Sequence, residues 1–470
     1  MSGPGPRITV VGGGISGLAA AHRVRRTFGP GAQITIVEAS RRLGGVLRTV
    51  DLAGRAFDVG AEAFVARRPE MPALLAELGL SAQVVTPGDF RPLIRLRGRQ
   101  VPLPGGTVMG LPASGDGLAG LLTVAERDRI DAERSRALDW APGADPSIGA
   151  LVADRFGPAV VHALVEPLLG GVYSGPADGI GLRAALPQLA AALDGGAPSL
   201  SAAVAAHRPA AGGAPVFGAL RGGYRTLIEA LIRAAGARVI TDTAVTALTR
   251  TGRGWRVDPV GETDAVVLAV PAPQAAALLA GPAAGAAAEA ARIPVASVAL
   301  VALAVEGADT LPAASGVLAA TTGQDLAAKA CTLSSRKWPH LAAAPGGGID
   351  RQAPGLLRLS YGRHGGPEVP GDGDDDALLE VARGDLSRLL GTRPEILDAH
   401  VQRWPSGPVQ YRPGHAGVVA RLRAEVAGLP GLALAGSYLD GVGVPACIGA
   451  ADAAVERLSR TSNQWLRAEG

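Results

Sequence analysis

Three glycines near the start of the chain have the spacing of a phosphate-binding turn. Gly12, Gly14 and Gly17 follow the apolar run Arg7–Val11 and come just before a segment with helical spacing. Small residues there allow a tight turn, close approach of the backbone to a pyrophosphate, and close packing of helix on strand. The N-terminus of a helix also offers free N–H groups and a partial positive charge to an anion. The spacing therefore predicts a dinucleotide site at residues 12–17.

An acidic residue stands where the same kind of site would need it. The run Gln33–Ser40 predicts a second strand, and Glu38 lies near its end. A carboxylate about twenty residues beyond the glycines accepts hydrogen bonds from the ribose hydroxyls of an adenosine. The same negative charge disfavours a 2′-phosphate. NAD or FAD is therefore expected rather than NADP.

The predicted strands and helices that would position these residues alternate along the chain. The order strand, helix, strand over residues 7–40 predicts a parallel sheet. Leu93–Leu103 alternates like a hairpin, and Ala125–Gly218 is mostly helical in pattern. Ile293–Val305 and Leu356–Tyr361 predict strands of a second sheet.

Composition excludes several classes of protein. A length of 470 residues predicts about two or three domains. The net charge of +3 is spread out, without a basic stripe, so we expect no nucleic-acid partner. Two cysteines form neither a disulfide framework nor a metal-ligand spacing, and no apolar run is clean enough to span a bilayer. We expect a cytoplasmic protein without a metal; peripheral contact with a membrane is left open.

Two further glycine-containing segments favour one of the two remaining cofactors, NAD or FAD. Arg42-Leu43-Gly44-Gly45 follows the Glu38 strand directly, and Gly441-Val442-Gly443 precedes a predicted helix near the C-terminus. Both resemble the flavin-binding segments of the FAD amine-oxidase superfamily. A helix N-terminus beside the flavin ring would stabilise negative charge on the reduced flavin. The resemblance implies FAD rather than NAD.

The likeness extends over essentially the whole chain to one family. The chain resembles the oxygen-dependent protoporphyrinogen/coproporphyrinogen oxidases of haem biosynthesis, and within them the bacterial coproporphyrinogen III oxidase type. The similar segments are Val101–Pro112, Val165–Gly175, Arg336–His340, Val409–His415 and Gly441–Ile448.

The resemblance implies an α/β (α+β) fold with three parts. The parts are a discontinuous Rossmann-like FAD-binding domain (1–92, 215–275 and 400–470), a largely helical domain (93–214), and a sheet-containing substrate-binding domain (276–399).

The family's cofactor contacts transfer to matching positions of this sequence. They imply non-covalent FAD binding, although Cys447 lies inside the C-terminal motif. The expected contacts are Gly12, Gly13, Gly14, Ile15, Ser16, Gly17, Glu38, Ala39, Arg42, Gly45, Val46, Gly60, Ala61, Glu62, Ala63, Val245, Trp404, Gly436, Val442, Gly443 and Val444.

The same resemblance implies a porphyrinogen substrate and O2. Arg68, with Arg67 as the fallback, is the expected partner of a substrate carboxylate, and Leu168–Gly171, above all Leu168 and Gly170, are expected to line the pocket. Arg336, Lys337 and Tyr361 are weaker candidates. Hydride leaves a carbon flanked by electron-rich pyrroles, so no catalytic acid or base is expected.

Several alternatives stay open at this point. Coproporphyrinogen III is preferred because a chain without a membrane segment suits the more polar substrate, with protoporphyrinogen IX as the alternative. A flavin amine oxidase is less favoured, because 3% aromatic residues and two lysines provide little material for such a site. A non-catalytic flavoprotein that delivers porphyrin, and the choice between monomer and homodimer, are not excluded by the sequence.

Overall fold

The computed structural model describes residues 5–208, 215–342, 353–371 and 373–466. Its strands, in chain order, are β1 Arg7–Val11, β2 Gln33–Val37, β3 Thr49–Leu52, β4 Arg55–Asp58, β5 Phe64–Val65, β6 Val84–Val85, β7 Leu93–Leu96, β8 Arg99–Pro102, β9 Phe217–Leu220, β10 Arg238–Ile240, β11 Ala247–Thr251, β12 Gly254–Asp258, β13 Gly261–Thr263, β14 Ala265–Leu268, β15 Val298–Val305, β16 Gly316–Ala319, β17 Ala330–Thr332, β18 Gly355–Tyr361, β19 Ile396–Trp404 and β20 Leu432–Leu434.

The α-helices in the same residues follow between them. They are α1 Ile15–Phe28, α2 Glu70–Glu77, α3 Val124–Ala132, α4 Ile148–Arg155, α5 Pro158–Val160, α6 Glu166–Val172, α7 Leu182–Ala185, α8 Pro187–Asp194, α9 Leu200–Ala206, α10 Arg225–Ala235, α11 Ala272–Leu279, α12 Ala284–Ala291, α13 Ser334–Lys337, α14 Asp375–Leu390, α15 His415–Ala427, α16 Val444–Arg460 and α17 Ser462–Trp465.

A five-stranded parallel sheet joins the two ends of the chain. Its order is β10-β2-β1-β14-β20, and each neighbouring pair is parallel. Strands of such a sheet are buried on both faces, which explains the continuous apolar runs of β1 and β14. Helices α1, α10 and α16 pack against one face, where Val10, Leu18, Leu231 and Val455 share a core. The predicted parallel sheet is confirmed.

A seven-stranded mixed sheet forms the second layer. Its order is β19-β15-β18-β17-β16-β7-β8, with only the β16–β7 pair parallel. Helix α14 covers it through Leu378 and Leu386 against Val301 and Leu303. The two predicted strands of a second sheet are confirmed as the neighbours β15 and β18. The first begins at Val298 rather than Ile293, because residues 294–296 pair with residues 408–410 and not with the neighbouring strands of the sheet.

Helices α3 to α9 pack together and share a hydrophobic core with one side of the parallel sheet. A π-helical turn, Val161–Val165, connects α5 to α6. Pro167 in the first turn of α6 lacks an N–H and cannot donate to a carbonyl one turn earlier. Just after α6, the Ser174 hydroxyl accepts a hydrogen bond from Lys329, which directly precedes β17 of the seven-stranded sheet.

The structure differs from the predicted domain boundaries at two places. The hairpin β7–β8 joins the seven-stranded sheet through Leu93 opposite Val317, although residues 93–102 were predicted to belong with the helices. Strand β19 starts at Ile396 and runs across the predicted boundary at 399/400. In both cases, pairing with the seven-stranded sheet carries the strands across the predicted boundary. The division into three domains stays a prediction. In the described parts of the chain, no helix combines the length and apolar character needed to cross a bilayer.

Candidate flavin and substrate site

The glycine turn between β1 and α1 forms a backbone cradle. Gly12 has a φ of 104°, and its N–H donates to the Val37 carbonyl at 2.8 Å. A Cβ on Gly17 would overlap the carbonyl oxygen of Gly12, and one on Gly13 would overlap the Leu43 side chain. Gly14 caps α1 without a side-chain hydrogen bond, so the first N–H groups of α1 are left to an anion. Ile15 and Ser16 are buried in this first turn.

Glu38 lies against the same turn. Its Oε2 accepts a hydrogen bond from the Gly13 N–H at 2.7 Å, and its Oε1 accepts one from Ser40 N at 2.9 Å. The backbone of Glu38 pairs with Ile240 and Thr243, which brings the segment containing Val245 to the end of β2. The predicted adenosine residues therefore lie together at the carboxyl edge of the parallel sheet, with Ala39 directly after Glu38.

A second group surrounds Arg42. The Arg42 guanidinium donates to the Gly45 carbonyl at 2.7 Å and lies 5.5 Å from the Trp404 ring centroid. Burial, and after it the positive charge of Arg48, lower the pKa of Arg42. The Trp404 indole donates to the Val59 carbonyl at 3.1 Å.

Val46 completes this group with Gly60. A Cβ on Gly60 would overlap the Val46 carbonyl and lie 3.4 Å from Trp404. Val46 itself is 45% exposed, an unusual position for an apolar side chain beside buried neighbours. Arg42, Gly45, Val46, Gly60 and Trp404 are thus brought together, as the expected cofactor contacts require.

The Glu62 side chain lies in a buried cluster of ionic groups. It is buried in an ion pair with Arg358 Nη2 at 2.8 Å and Lys337 Nζ at 3.2 Å, and the Trp338 indole donates to it. Burial alone would raise the pKa of Glu62, but the two cations lower it to about 2. A cofactor contact at residue 62 would have to come from its backbone. The neighbours Ala61 and Ala63 are partly buried.

The C-terminal motif opens a second helix beside the first. Gly443 caps α16, which begins at Val444, without a side-chain hydrogen bond. Gly436 has a φ of 149°, and a Cβ there would meet the Tyr438 ring at 2.7 Å. Because β20, β14 and β1 are parallel neighbours, α1 and α16 begin at the same edge of the sheet. Val442 is partly buried and Gly443 is exposed at this edge.

Cys447, in the first turns of α16, is a buried thiol. Burial raises its pKa to about 11, and Ser16 of α1 lies within hydrogen-bonding reach. A neutral thiol is a poor nucleophile.

The predicted substrate arginines lie outside the core. Arg67 and Arg68 are exposed, and Arg68 Nη2 pairs with Glu70 Oε1 at 2.5 Å. Leu168 is partly exposed on α6, whereas Gly170 is buried against the Arg363 guanidinium.

The three weaker candidates have partners elsewhere. Arg336 donates to the Leu311 carbonyl, Lys337 pairs with Glu62, and Tyr361 lies within 3.4 Å of Asp385.

Two cations were missed by the sequence analysis: the buried Lys329, and the partly buried Arg363, whose terminal nitrogens are shielded. Lys329 is 5% exposed, and Arg363 lines a cavity of about 400 Å³ with the segments Val295–Val298 and Arg403–Pro405. A signal was available, because Lys329 is one of only two lysines and stands in an otherwise apolar segment.

The chain is similar to known proteins along nearly its full length. Residues 15–459 match the family of flavin-containing amine oxidoreductases. The coproporphyrinogen III oxidase of Mycobacterium tuberculosis is 50% identical over 450 residues, which cover 95% of this chain and 96% of that protein. The coproporphyrinogen III oxidase of Mycobacterium leprae is 49% identical over 453 residues, with coverages of 96% and 97%.

Solved structures agree with this placement. The crystal structure of an Exiguobacterium protein described as a protoporphyrinogen oxidase has a TM-score of 0.85 at 30% identity, with 98% and 99% of the two chains covered. A putrescine oxidase structure, at 16% identity, has a TM-score of 0.66, covers 97% and 99% of the two chains, and shares the fold alone. This chain therefore belongs to the flavin-containing amine oxidoreductases, and within them to the protoporphyrinogen/coproporphyrinogen oxidase family.

Proposed function

We propose that this protein binds FAD without a covalent bond and oxidises coproporphyrinogen III to coproporphyrin III in haem biosynthesis, with O2 as electron acceptor. The observation that carries the proposal is identity of about one residue in two to curated coproporphyrinogen III oxidases across 95% of the chain.

The described residues fit a long dinucleotide. The turn at residues 12–17 would hold the pyrophosphate on free backbone N–H groups, and Glu38 would accept hydrogen bonds from the ribose. The N-terminus of α16 would face the flavin ring, and Trp404 with Val46 would pack beside it. Two open helix N-termini at one sheet edge, with the acidic Glu38 beside the first of them, match FAD better than a single nucleotide.

Cys447 supports a non-covalent mode. Its thiol is buried and neutral at physiological pH, so it is not poised to form a thioether. Acid precipitation is expected to release yellow FAD into the supernatant. Flavin retained in the pellet would contradict non-covalent binding.

The bound flavin would supply two-electron oxidation by hydride acceptance, followed by reoxidation with O2 to give hydrogen peroxide. Formation of a porphyrin from a porphyrinogen removes six electrons, so the protein must hold the macrocycle through three rounds. The chain's contribution is then to orient the ring and exclude water. Leu168 and Gly170 would line the apolar wall, and Arg68 would bind a propionate near the surface.

Protoporphyrinogen IX oxidase is the second candidate. A plant protoporphyrinogen oxidase is 30% identical, but over 186 residues that cover 39% of this chain. The full-length relatives named for coproporphyrinogen III therefore favour that substrate. Incubating the FAD-loaded protein with each porphyrinogen and following porphyrin fluorescence tests the choice. Fluorescence from neither substrate would favour a non-catalytic flavoprotein.

A further inference from the structure

Arg363 is a cation without a hydrogen-bond partner at its terminal nitrogens. It follows β18, one residue after Gly362, and both Nη1 and Nη2 are buried and unpartnered within the described residues. Gly170 of α6 packs directly against Nη1, so a Cβ at that position would overlap it. A buried guanidinium without acceptors is costly, and proteins retain one chiefly where an anion binds.

A second buried cation stands beside it. Lys329 Nζ donates to the Ser174 hydroxyl at 2.6 Å and to the Gly362 carbonyl at 2.8 Å. Burial, and then the charge of Arg363, lower the pKa of Lys329 to about 7. Because the charge of Arg363 lowers the pKa of Lys329, the two cations are close enough to repel each other.

Nearby carboxylates do not neutralise this pair. Glu166 attracts Arg363 but forms no ion pair with it within the described residues; its Oε1 accepts from Ala177 N at 3.3 Å. Asp385 accepts from the N–H groups of Ala327 and Ala328, which precede Lys329 in the chain. Glu368 lines the same cavity as Arg363 but forms no ion pair with it within the described residues, so positive charge remains in excess at the Lys329–Arg363 pair.

Arg363 lies near the expected cofactor contacts Trp404 and Arg42. Arg363 and Trp404 line the same cavity of about 400 Å³, and Trp404 lies over Arg42. The other arginine on the cavity wall, Arg403, is already paired with Asp375 at 2.7 Å. Gly170, expected to lie on the pocket wall, is in contact with Arg363. Arg363 therefore adjoins both Gly170 of α6 and the cavity that Trp404 lines.

We propose that Arg363, supported by Lys329, binds one propionate carboxylate of the porphyrinogen substrate. The inference rests on the proposed function, because it names the substrate group that this cavity recognises. A planar carboxylate can accept two parallel hydrogen bonds from the guanidinium, and its charge offsets the excess at the pair. Substrates with more carboxylates would gain from such a site, which agrees with a preference for the four propionates of coproporphyrinogen III.

Ligand binding to the FAD-loaded protein tests the site without turnover. The probes are coproporphyrin III and its tetraamide, which keeps the ring and removes the charges; affinity is measured by porphyrin fluorescence. Arg363→Gln is expected to weaken coproporphyrin III binding about 10- to 100-fold and to change tetraamide binding less than about twofold. Lys329→Met is expected to act in the same direction, and Arg363→Lys to restore most of the affinity.

Controls show whether a loss of affinity comes from this site or from misfolding, and they keep a failure of the site distinct from a failure of the proposed function. Arg233→Gln, at an exposed position of α10, is expected to leave both affinities unchanged, and flavin content with thermal unfolding reports whether each variant is folded. If Arg363→Gln does not fold, Lys329→Met carries the same comparison. Unchanged coproporphyrin III affinity in folded Arg363→Gln or Lys329→Met, or equal losses for acid and amide, would overturn the site. A wild-type protein that binds coproporphyrin III but oxidises no porphyrinogen would instead overturn the proposed function.

Discussion

The Oε2 oxygen of Glu38 accepts a hydrogen bond from the backbone N–H of Gly13 at 2.7 Å. The carboxylate that is expected to bind ribose therefore also contacts the turn that is expected to bind pyrophosphate. One side chain can then link the two ends of the adenosine diphosphate site.

Replacing Glu38 with Gln or Ala is expected to weaken FAD binding by about 1.5–3 kcal/mol, because a charge-assisted hydrogen bond is lost. Titration of the flavin-free protein with FAD measures the change, with Glu229→Gln on the exposed face of α10 as control. Turnover of the fully loaded variant should change little, because the adenosine is remote from the reacting ring. Unaltered FAD affinity would remove Glu38 from the cofactor site.

Gly60→Ala is expected to reduce flavin occupancy. The new Cβ would overlap the Val46 carbonyl oxygen, which is backbone and can yield only if the loop moves. Overpacking of this kind costs roughly 1–3 kcal/mol. Gly252→Ala is the matched control, since nothing lies within 4 Å of a Cβ there. The ratio of flavin to protein absorbance after purification provides the comparison, and equal ratios would refute the placement of the Gly60 loop.

Glu62→Gln is expected to destabilise the protein by about 3–5 kcal/mol at neutral pH, because Arg358 and Lys337 lose their buried counter-charge. The pKa of Glu62 lies below its ordinary value in the folded state, so its contribution is present above about pH 4.5 and is lost as pH falls toward 2.

Chemical denaturation at several pH values measures this contribution. The stability difference between wild type and Glu62→Gln should shrink as pH falls through that window. A difference that does not depend on pH would show that the ion pair is not its source.

Arg68→Ala is expected to raise KM several-fold with little change in kcat, because a surface contact with a propionate holds substrate and transition state alike. Its partner in the protein, Glu70, would be released at small cost since the pair is solvent-exposed. Arg67→Ala is the comparison variant in the same steady-state assay. A KM increase confined to Arg67→Ala would transfer the role to the neighbouring arginine.

Local sequence predicted the parts of the site that lie within one βαβ unit. The glycine turn and Glu38 are 21 to 26 positions apart (38 − 17 and 38 − 12), and strand–helix–strand geometry brings them together. The contact between Arg42 and Trp404 joins distant segments, so the family resemblance supplied both residues but not their stacking.

The buried ionic groups could not be predicted in the same way. Glu62 pairs with Arg358 and Lys337 only because the loop before β5 packs against β18 and α13. Lys329 stands out in the sequence as one of two lysines, but its proximity to Arg363 depends on how β17 and β18 pair. Such contacts follow from sheet register, which residue spacing does not encode.

A side-by-side steady-state assay of coproporphyrinogen III and protoporphyrinogen IX under air tests the central claim most directly. Porphyrin fluorescence, O2 uptake and peroxide are followed together with the FAD-loaded protein. We expect coproporphyrin III to form with three O2 consumed and three peroxides released per porphyrin, as removal of six electrons in pairs requires, and with the higher kcat/KM of the two substrates. Failure to form porphyrin from either substrate would contradict the oxidase function, and a higher kcat/KM for protoporphyrinogen IX would contradict the choice of substrate.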